Sequence, residues 1–202
     1  MAGQVFNPEG RATENQLVFA RVQTAEKSNE ITAIPVLLEQ IAIAGCIITI
    51  DASDLQSAGC QHEIANRIVE KKADYVFSLK GNQGTLLEGV REYWDMLDFD
   101  KPASQAQYIR FRTLSTYDEK HGRKETRDYA VSDDVAWLHQ MFPKWKTIKS
   151  IGVVESTRDT GLECATERRY FISSLAADEK TFAHAVRSHW GIENWLHYSE
   201  LT

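Results

Sequence analysis

The sequence predicts a mixed α/β fold in which a layer of alternating strands and helices is followed by a β-rich block. Between residues 16 and 97, short apolar runs rich in β-branched residues alternate with stretches whose apolar positions recur at helical spacing. Between residues 105 and 174, the pattern changes to strand-like runs separated by turn signals. The alternation in the first part favours parallel strands covered by helices, and the second part favours antiparallel pairing.

The first block contains three expected strands and three expected helices. A strand over 16–23 is followed by a helix that begins with Pro35 and ends before Gly45. Residues 46–50 form a continuous apolar run, which is typical of a strand buried on both faces. The remaining elements expected here are a helix over 61–72, a strand over 75–79 and a helix over 85–97.

The second block contains four expected strands and leads into a final helix. Turn signals lie at 121–122 and 159–161. Ser174 or Asp178 is expected to cap a helix over about 179–198. The strands are expected at 108–114, 123–131, 147–156 and 165–173.

These patterns divide the chain into four parts. Residues 1–11 show no periodicity and contain Asn-Pro and Glu-Gly, so an irregular lead-in is expected there. An α/β core is expected over 12–104, a β-rich insertion over 105–174, and a C-terminal helix over 175–202 that completes the core.

Composition and charge are those of an ordinary globular protein. Hydrophobic residues make up 43% of the chain and charged residues 26%, and no apolar run approaches the roughly 18 residues that span a bilayer. The start of the chain lacks a signal-peptide layout, and three widely spaced cysteines indicate reduced core thiols in a cytoplasmic protein. The net charge of -6 argues mildly against nucleic-acid binding, although a local basic face on an acidic protein is compatible with it.

Residues that can carry chemistry concentrate in one segment near the end of the chain. Arg187, His189, Trp190 and Glu193 lie there within about two helical turns. Far upstream, Asp51 directly follows a predicted strand. A carboxylate at a strand end and a second one on a late helix form a common arrangement for holding a divalent metal ion. The sequence therefore indicates a metal site built by these two acids.

Plainer interpretations of the same residues stay open. Asp51 could cap a turn, Glu193 could be an exposed helix acid, and Trp190 could anchor a core or an interface. The turn at 80–84 resembles one that cradles a phosphate, and a tight connection between a strand and a helix explains its two glycines equally well. Arg123 belongs to a basic run interrupted by acids, which fits a solvated hairpin or a contact to phosphates.

Short motifs occur along the chain in a specific order. They are EKSNEITAIP at 26–35, ITIDA at 48–52, CQ at 60–61, DYV at 74–76, LKGNQ at 79–83, HGR at 121–123, RYFISS at 169–174 and HWGIEN at 189–194. Together they resemble the H-repeat-associated insertion-sequence transposases, a DDE family with an RNase H-like core. The resemblance covers roughly residues 12–197.

The resemblance implies metal-dependent chemistry on double-stranded DNA. Transposases of this kind use three carboxylates and two Mg²⁺ (or Mn²⁺) ions to cleave phosphodiesters at insertion-sequence ends and to transfer the strands. It implies that Asp51 is the second of the three acids and that Glu193 is the glutamate. The β-rich segment 105–174 corresponds to the insertion that such enzymes place before the glutamate helix.

The resemblance also implies a set of residues that contact DNA. His189 lies one helical turn before the glutamate, where related transposases carry a basic residue that contacts DNA. The full set expected from the resemblance and the basic clusters is Lys80, Asn82, Arg123, Arg187, His189 and Trp190.

The chain departs from the family pattern in three places. The first catalytic aspartate of the family lies upstream of the motif ATENQLV, which here occupies 12–18, and residues 1–11 contain no aspartate. Family members read IDAMGCQ, whereas this chain reads IDASDLQSAGCQ over 50–61. The chain also ends shortly after Glu193. We therefore expect a truncated, defective transposase that is inactive alone.

Two alternatives remain at this stage. The chain could be a non-catalytic remnant that associates with itself or with full-length transposase and inhibits it. It could also be an unrelated metal-dependent nuclease or phosphatase with similar core chemistry. A third acid near Asp51 and Glu193, for which Asp54 and Asp74 are candidates, would support metal binding.

Overall fold

The computed structural model describes residues 3–6, 17–18, 38–39, 42–50, 58–81, 84–97, 111–120 and 123–199, with side chains over 38–39, 42–50, 61–81, 84–97, 111–119 and 123–189. The strands are β1 Gly3–Phe6, β2 Leu17–Val18, β3 Ile47–Ile50, β4 Asp74–Leu79, β5 Phe111–Lys120, β6 Arg123–Ser132, β7 Ser150–Asp159 and β8 Cys164–Ser173. The helices are α1 Ala58–Glu70, α2 Gly84–Met96, α3 Ala136–Met141 and α4 Glu179–Ser199.

The described strands form one eight-stranded sheet in the order β2-β1-β3-β4-β8-β7-β6-β5. β3 and β4 are parallel, and every other neighbouring pair is antiparallel. The α/β class is confirmed, and the elements expected between residues 46 and 97 are present within three residues of their expected bounds. The antiparallel block over β5 to β8 is confirmed as well. The domain boundaries at 12, 105 and 175 stay predictions.

The irregular lead-in expected over 1–11 is wrong for Gly3–Phe6. This segment is β1. All four of its residues pair with β3, and two of them, Gln4 and Val5, also pair with β2. Two adjacent strands supply its backbone partners, so a four-residue strand forms there without a hydrophobic pattern of its own. β1 also separates β2 from β3, so the parallel layer expected from the alternation is interrupted by an antiparallel strand.

Other expectations are met only in part. The strand expected over 16–23 and the helix expected from Pro35 are described only at Leu17–Val18 and at 38–39, which are strand and helix respectively. The short helix α3 has no counterpart in the sequence prediction, because six residues are too few to show a helical period. Cys164 is exposed on β8 and is not the core thiol that was expected. Across the described residues, no helix is long and apolar enough to span a membrane.

The pairing of β4 with β8 joins the two blocks of the chain into one sheet. Four residue pairs, from Val76–Ser173 to Leu79–Tyr170, connect the strands. The Ser173 hydroxyl donates a hydrogen bond of 2.8 Å to the Tyr75 carbonyl, and the Tyr75 N–H donates one of 2.9 Å to the Ser174 hydroxyl. The β-rich segment therefore extends the core sheet and shares its hydrophobic layers.

Each face of the sheet carries its own hydrophobic core. On one face, α1 and α2 cover Ile48, Tyr75 and Phe77, and Trp94 of α2 is 1% exposed there. On the other face, which we call the α4 face, Phe182 and Val186 of α4 pack on a separate apolar cluster. That cluster contains Ile47, Val76, Tyr129, Val131, Val154 and Phe171. Successive side chains of β3 therefore alternate between two buried layers, as a strand that is apolar throughout requires.

Two local features hold α4 in place. Gly152 of β7 has no side chain, and a Cβ built there would lie 2.3 Å from Cζ of Phe182, so the glycine makes room for this ring. At the start of α4, the Thr181 N–H donates a hydrogen bond of 2.8 Å to the carboxylate of Asp178, which confirms Asp178 as the cap. These contacts set the position from which α4 runs along the sheet.

The outer halves of strands β5 to β8 project beyond the end of β4. Leu79 pairs with Tyr170, so the part of β8 before Tyr170 extends past the last residue of β4. The projecting residues are 115–120, 123–128, 155–159 and 164–169, which we call the β arm. Side chains of β8 in the arm are exposed on both faces of the sheet.

Candidate active site

A cavity of about 410 Å³ lies at the carboxyl ends of the parallel strands β3 and β4. Side chains from both strands, from β8 and from α4 line it. Its polar and charged lining consists of Thr49, Ser78, Lys80, Arg91, Glu167, Arg168, Arg169 and His189. In α/β folds, the carboxyl edge of parallel strands is the usual position for a ligand site.

One hydrogen bond connects the strand β3 to the helix α4 inside this cavity. Thr49 Oγ1 lies 3.1 Å from His189 Nδ1, and Thr49 is 2% exposed. Thr49 shares the α4 face with Ile47, because alternate residues of a strand point to the same side. The bond therefore holds α4 against β3 two residues before Asp51 and one helical turn before Glu193.

Cations outnumber acids in the described lining of the cavity. Lys80, Arg91, Arg168 and Arg169 contribute four positive charges, and Glu167 contributes one negative charge. The Arg169 guanidinium donates two hydrogen bonds to Glu167, at 2.9 and 3.2 Å. This surplus makes the cavity attractive to anions, and arginines suit phosphates because of their fork of N–H donors.

Two of these cations, Arg168 and Arg91, contact side chains beside the cavity. Arg168 forms an ion pair with Glu155 of β7 and a longer one of 3.5 Å with Asp95 of α2. The hydrogen bond to Glu155 raises the pKa of Arg168. The Arg91 guanidinium lies over the Tyr170 ring, 5.7 Å from its centre.

Of the residues expected to bind DNA, Lys80 and His189 line the cavity and two others do not. Arg187 points to β5, where its Nη2 lies 2.9 Å from the Asp118 carboxylate. Arg123 lies in the β arm, where its Nη2 is 3.2 Å from Glu125. Asn82 lies outside the described residues.

The side chains of the two expected catalytic acids lie outside the described residues. Asp51 lies outside the described residues, and so does the other candidate acid, Asp54. Glu193 and Trp190 belong to the α4 backbone, and their side chains also lie outside the description. Within the described side chains, no three His, Cys, Asp or Glu groups lie close enough together to hold a metal ion.

Asp74 is ruled out as the acid that completes the site. It pairs with Ile47 at the beginning of β3, so it lies at the end of the strands away from Ile50 and Leu79. Its carboxylate accepts a hydrogen bond of 2.7 Å from the Ser174 hydroxyl. Its role is to join β4 to the chain that follows β8.

The described side chains fit part of a metal site. Glu167 supplies an oxygen donor to the cavity, and oxygen is the donor that Mg²⁺ prefers. His189 supplies an imidazole whose Nδ1 is engaged by Thr49. A complete Mg²⁺ site at this edge needs the carboxylates of Asp51 and Glu193 in addition.

Arg91, Glu167 and Arg169 line the cavity but were not expected there from the sequence. Glu167 and Arg169 reach the cavity because Tyr170 pairs with Leu79, which brings β8 alongside β4. That register connects residues about 90 positions apart in the chain. Arg168 and Arg169 are adjacent cations in the sequence, but no local pattern indicates which strand they adjoin.

Comparison with known proteins identifies the family. The family described as "Transposase DDE domain" matches residues 10–199. This chain belongs to the DDE transposase family. The expected resemblance is confirmed, and with it the RNase H-like α/β class of the core. No solved structure matches the chain significantly.

Curated relatives agree with this assignment. The chain is 40% identical over 199 residues to "Putative transposase YncI" of Escherichia coli O157:H7, covering 97% of this chain and 48% of the relative. It is 37% identical to "H repeat-associated putative transposase YhhI" of Escherichia coli strain K12, covering 93% of this chain and 47% of the relative. An "Uncharacterized protein in dhlA 3'region" of Xanthobacter autotrophicus is 39% identical, and the match covers 82% of this chain and 51% of the relative. The DDE transposase chain thus spans about half the length of these relatives.

Proposed function

We propose that this chain carries part of a DDE-type active site for metal-dependent phosphodiester cleavage and strand transfer on double-stranded DNA. Asp51 and Glu193 are the proposed catalytic carboxylates. The observation that carries the proposal is the hydrogen bond between Thr49 and His189, which joins the strand leading to Asp51 to the helix bearing Glu193.

The spacing on both elements favours this assignment. Along a strand, residues two apart share a face, so an extension of β3 by one residue puts Asp51 on the side of Thr49. Along a helix, residues four apart share a face and differ by about 6 Å in height, so Glu193 follows His189 on one side of α4. The two acids would then converge beyond the Thr49–His189 contact, at the mouth of the cavity.

A divalent ion held by these acids would supply the reactive chemistry. Bound at Asp51 and Glu193, Mg²⁺ or Mn²⁺ would lower the pKa of a water or hydroxyl nucleophile and would neutralise charge on the phosphate. The residues of this chain would bind the substrate. Lys80 and Arg169 line the same cavity and provide cations for the backbone phosphates of DNA. The other proposed DNA contacts are Asn82, Arg123, Arg187, His189 and Trp190.

Two-metal chemistry needs a third carboxylate, and few residues of this chain can supply it. Residues 1–50 contain no aspartate, and Asp74 lies at the wrong end of the sheet. Glu167 is the carboxylate that the described cavity lining provides, and it is engaged by Arg169. The missing first aspartate predicts a chain that is inactive alone. Because Glu167 adds a carboxylate to the cavity, we expect weak metal binding and slow DNA cleavage instead.

Nicking of supercoiled plasmid tests the proposal. The wild-type chain is incubated with Mg²⁺ or Mn²⁺ and compared with Asp51→Asn and Glu193→Gln, which remove charge and preserve shape. Glu163→Gln is the matched control, because Glu163 is an exposed acid in the turn between β7 and β8. We expect slow, metal-dependent nicking that both active-site variants abolish and the control retains.

Two results would contradict the proposal. Nicking that persists in both active-site variants would assign the activity to other residues or to a contaminant. A complete absence of nicking at high Mn²⁺ would favour the non-catalytic alternative, in which the chain associates with full-length transposase. Mixing the inactive chain with an active full-length relative would then show whether it inhibits.

A further inference from the structure

The two faces of the β arm carry opposite charge. On the α4 face, the charged side chains described are Arg123, Arg127, Arg158 and Arg169 of the arm, Arg187 of α4, and the acids Asp118, Glu125 and Glu167. Five arginines against three acids leave an excess of two positive charges. This separation follows from strict alternation along four paired strands.

The opposite face of the arm is acidic. Its charged side chains are Lys124, Arg168, Glu119, Asp128, Glu155 and Asp159. Two cations against four acids leave an excess of two negative charges. A net charge of -6 for the whole chain therefore conceals a basic face next to an acidic one.

On the α4 face, Arg123 and Arg158 lie further out than Glu125, the acid with which both are paired. Glu125 is 12% exposed and receives Arg127 at 2.7 Å, Arg123 at 3.2 Å and Arg158 at 3.6 Å. Arg123 and Arg158 are 46% and 53% exposed. A guanidinium has five N–H donors, so an arginine that is paired with Glu125 at the sheet surface can still bind an anion from the solvent side. The outer surface is therefore more positive than the charge count alone indicates.

The basic face is continuous with the cavity. Arg169, which is 42% exposed, belongs to both. Arg187, 44% exposed, flanks the same face from α4. The arm projects from the edge of the sheet at which β3 and β4 end, so a long ligand in the cavity would extend over it.

We propose that the α4 face of the β arm binds the phosphate backbone of duplex DNA, with Arg123 and Arg158 as contacts remote from the cavity. The inference rests on the proposed function and assigns a second, extended part of its DNA-binding surface. A polyanion is the partner whose charge matches a row of arginines that is open to solvent. Contacts of this kind position DNA without reading its sequence.

Adjacent residues on β6 provide a matched experiment. Arg123 and Lys124 are both exposed cations, and they lie on opposite faces of the arm. Binding of a fluorescein-labelled duplex is measured by fluorescence anisotropy over a series of salt concentrations, in EDTA so that the metal site is not involved. The variants are Arg123→Gln, Arg158→Gln and, as the control, Lys124→Gln.

We expect each arginine variant to weaken DNA binding by about 3- to 10-fold and to lower the slope of log affinity against log salt by about 0.9, the value for one lost phosphate contact. Lys124→Gln should change neither quantity. All three side chains are exposed, so thermal unfolding followed by circular dichroism should be unchanged.

Three other outcomes would contradict the face assignment, the class of partner or DNA binding itself. Equal behaviour of Arg123→Gln and Lys124→Gln would overturn the assignment of the face and leave the proposed active site intact. Competition by polyglutamate as strong as competition by unlabelled duplex would assign the face to an acidic protein. No binding of duplex DNA by the wild-type chain would overturn both this inference and the DNA partner of the proposed function.

Discussion

His189 is a residue for which the structure suggests a second role. The resemblance implies that it contacts DNA, because it lies one turn before the glutamate. In the structure its Nδ1 is bonded to the buried hydroxyl of Thr49. This contact fixes where α4 meets β3, so we expect His189 to act as a positioning residue for the acid that follows it.

Removal of the Thr49 hydroxyl should therefore affect stability and activity together. Thr49→Val keeps the shape of the side chain and leaves the His189 imidazole without this partner, which should cost about 1 kcal/mol in the free energy of unfolding. Urea unfolding measures this cost. Thr49→Ser keeps the hydroxyl and should retain metal-dependent nicking, whereas Thr49→Val should slow it. Equal nicking by the two variants would show that the contact does not position the site.

Asp178 gives a prediction with a defined pH dependence. The hydrogen bonds that Thr181 donates to its carboxylate lower the pKa of Asp178. A carboxylate whose pKa is lower in the folded state stabilises the fold at neutral pH, and this contribution is lost as the pH falls through the folded-state pKa. Asp178→Ala should cost about 1 kcal/mol at pH 7 and much less in acid. A cost that does not vary between pH 7 and pH 3 would contradict the cap assignment.

Among the elements, α4 connects strands that lie far apart in the sheet, β3 and β5. It packs on the apolar cluster of the α4 face, carries Arg187 to β5 and carries His189 to β3. Its position depends on the close approach of Phe182 to Gly152. Phe182 is 3% exposed and packs edge-on against Phe171 and Tyr129, so its ring has little room to move.

Gly152→Ala should consequently displace α4. The added methyl group would overlap the Phe182 ring, and overpacking of this kind typically costs about 1–3 kcal/mol. Thermal and urea unfolding would measure the loss. A second substitution, Phe182→Leu, should recover part of it in the double variant, because it removes the ring that the methyl group meets. A destabilisation that Phe182→Leu does not relieve would show that the clash is not its cause.

At the scale of the whole molecule, the continuous sheet makes the core and the β-rich insertion one structural unit. The link is the pairing of β4 with β8, reinforced by the hydrogen bonds of Ser173 and Ser174 to the Tyr75 backbone. The Tyr93 hydroxyl of α2 is joined to the Ser132 hydroxyl of β6 at 2.7 Å, which adds a second link between the blocks.

We therefore expect the described part of the chain to unfold in a single cooperative transition. Tryptophan fluorescence and far-ultraviolet circular dichroism should give coincident urea curves. Ser174→Ala should shift both curves to lower urea by the same amount, because it removes two hydrogen bonds that join β4 to the residue following β8. Separate midpoints for the two signals would show that the β-rich segment is an independent domain.

Much of this architecture was predictable from local patterns. The strand at 46–50 was recognisable as a continuous apolar run. The helices near 61–72 and 85–97 were recognisable because burial of one side imposes a helical period on their apolar residues. The strand Gly3–Phe6 was not, because its pairing with β3 and β2 comes from outside its own four residues. Lys80 and His189 line one cavity, and their expected contacts to DNA stay predictions.

The family, the α/β class and the candidate acids follow from residue types in order along the chain. Three features depend instead on contacts between distant residues: Asp74 lies at the opposite end of the strands, Arg169 and Glu167 reach the cavity, and the β arm separates its charges between two faces. Strand register decides each of these points. A shift of one residue would move every side chain to the opposite face, and that register is set by pairing between residues far apart in the chain.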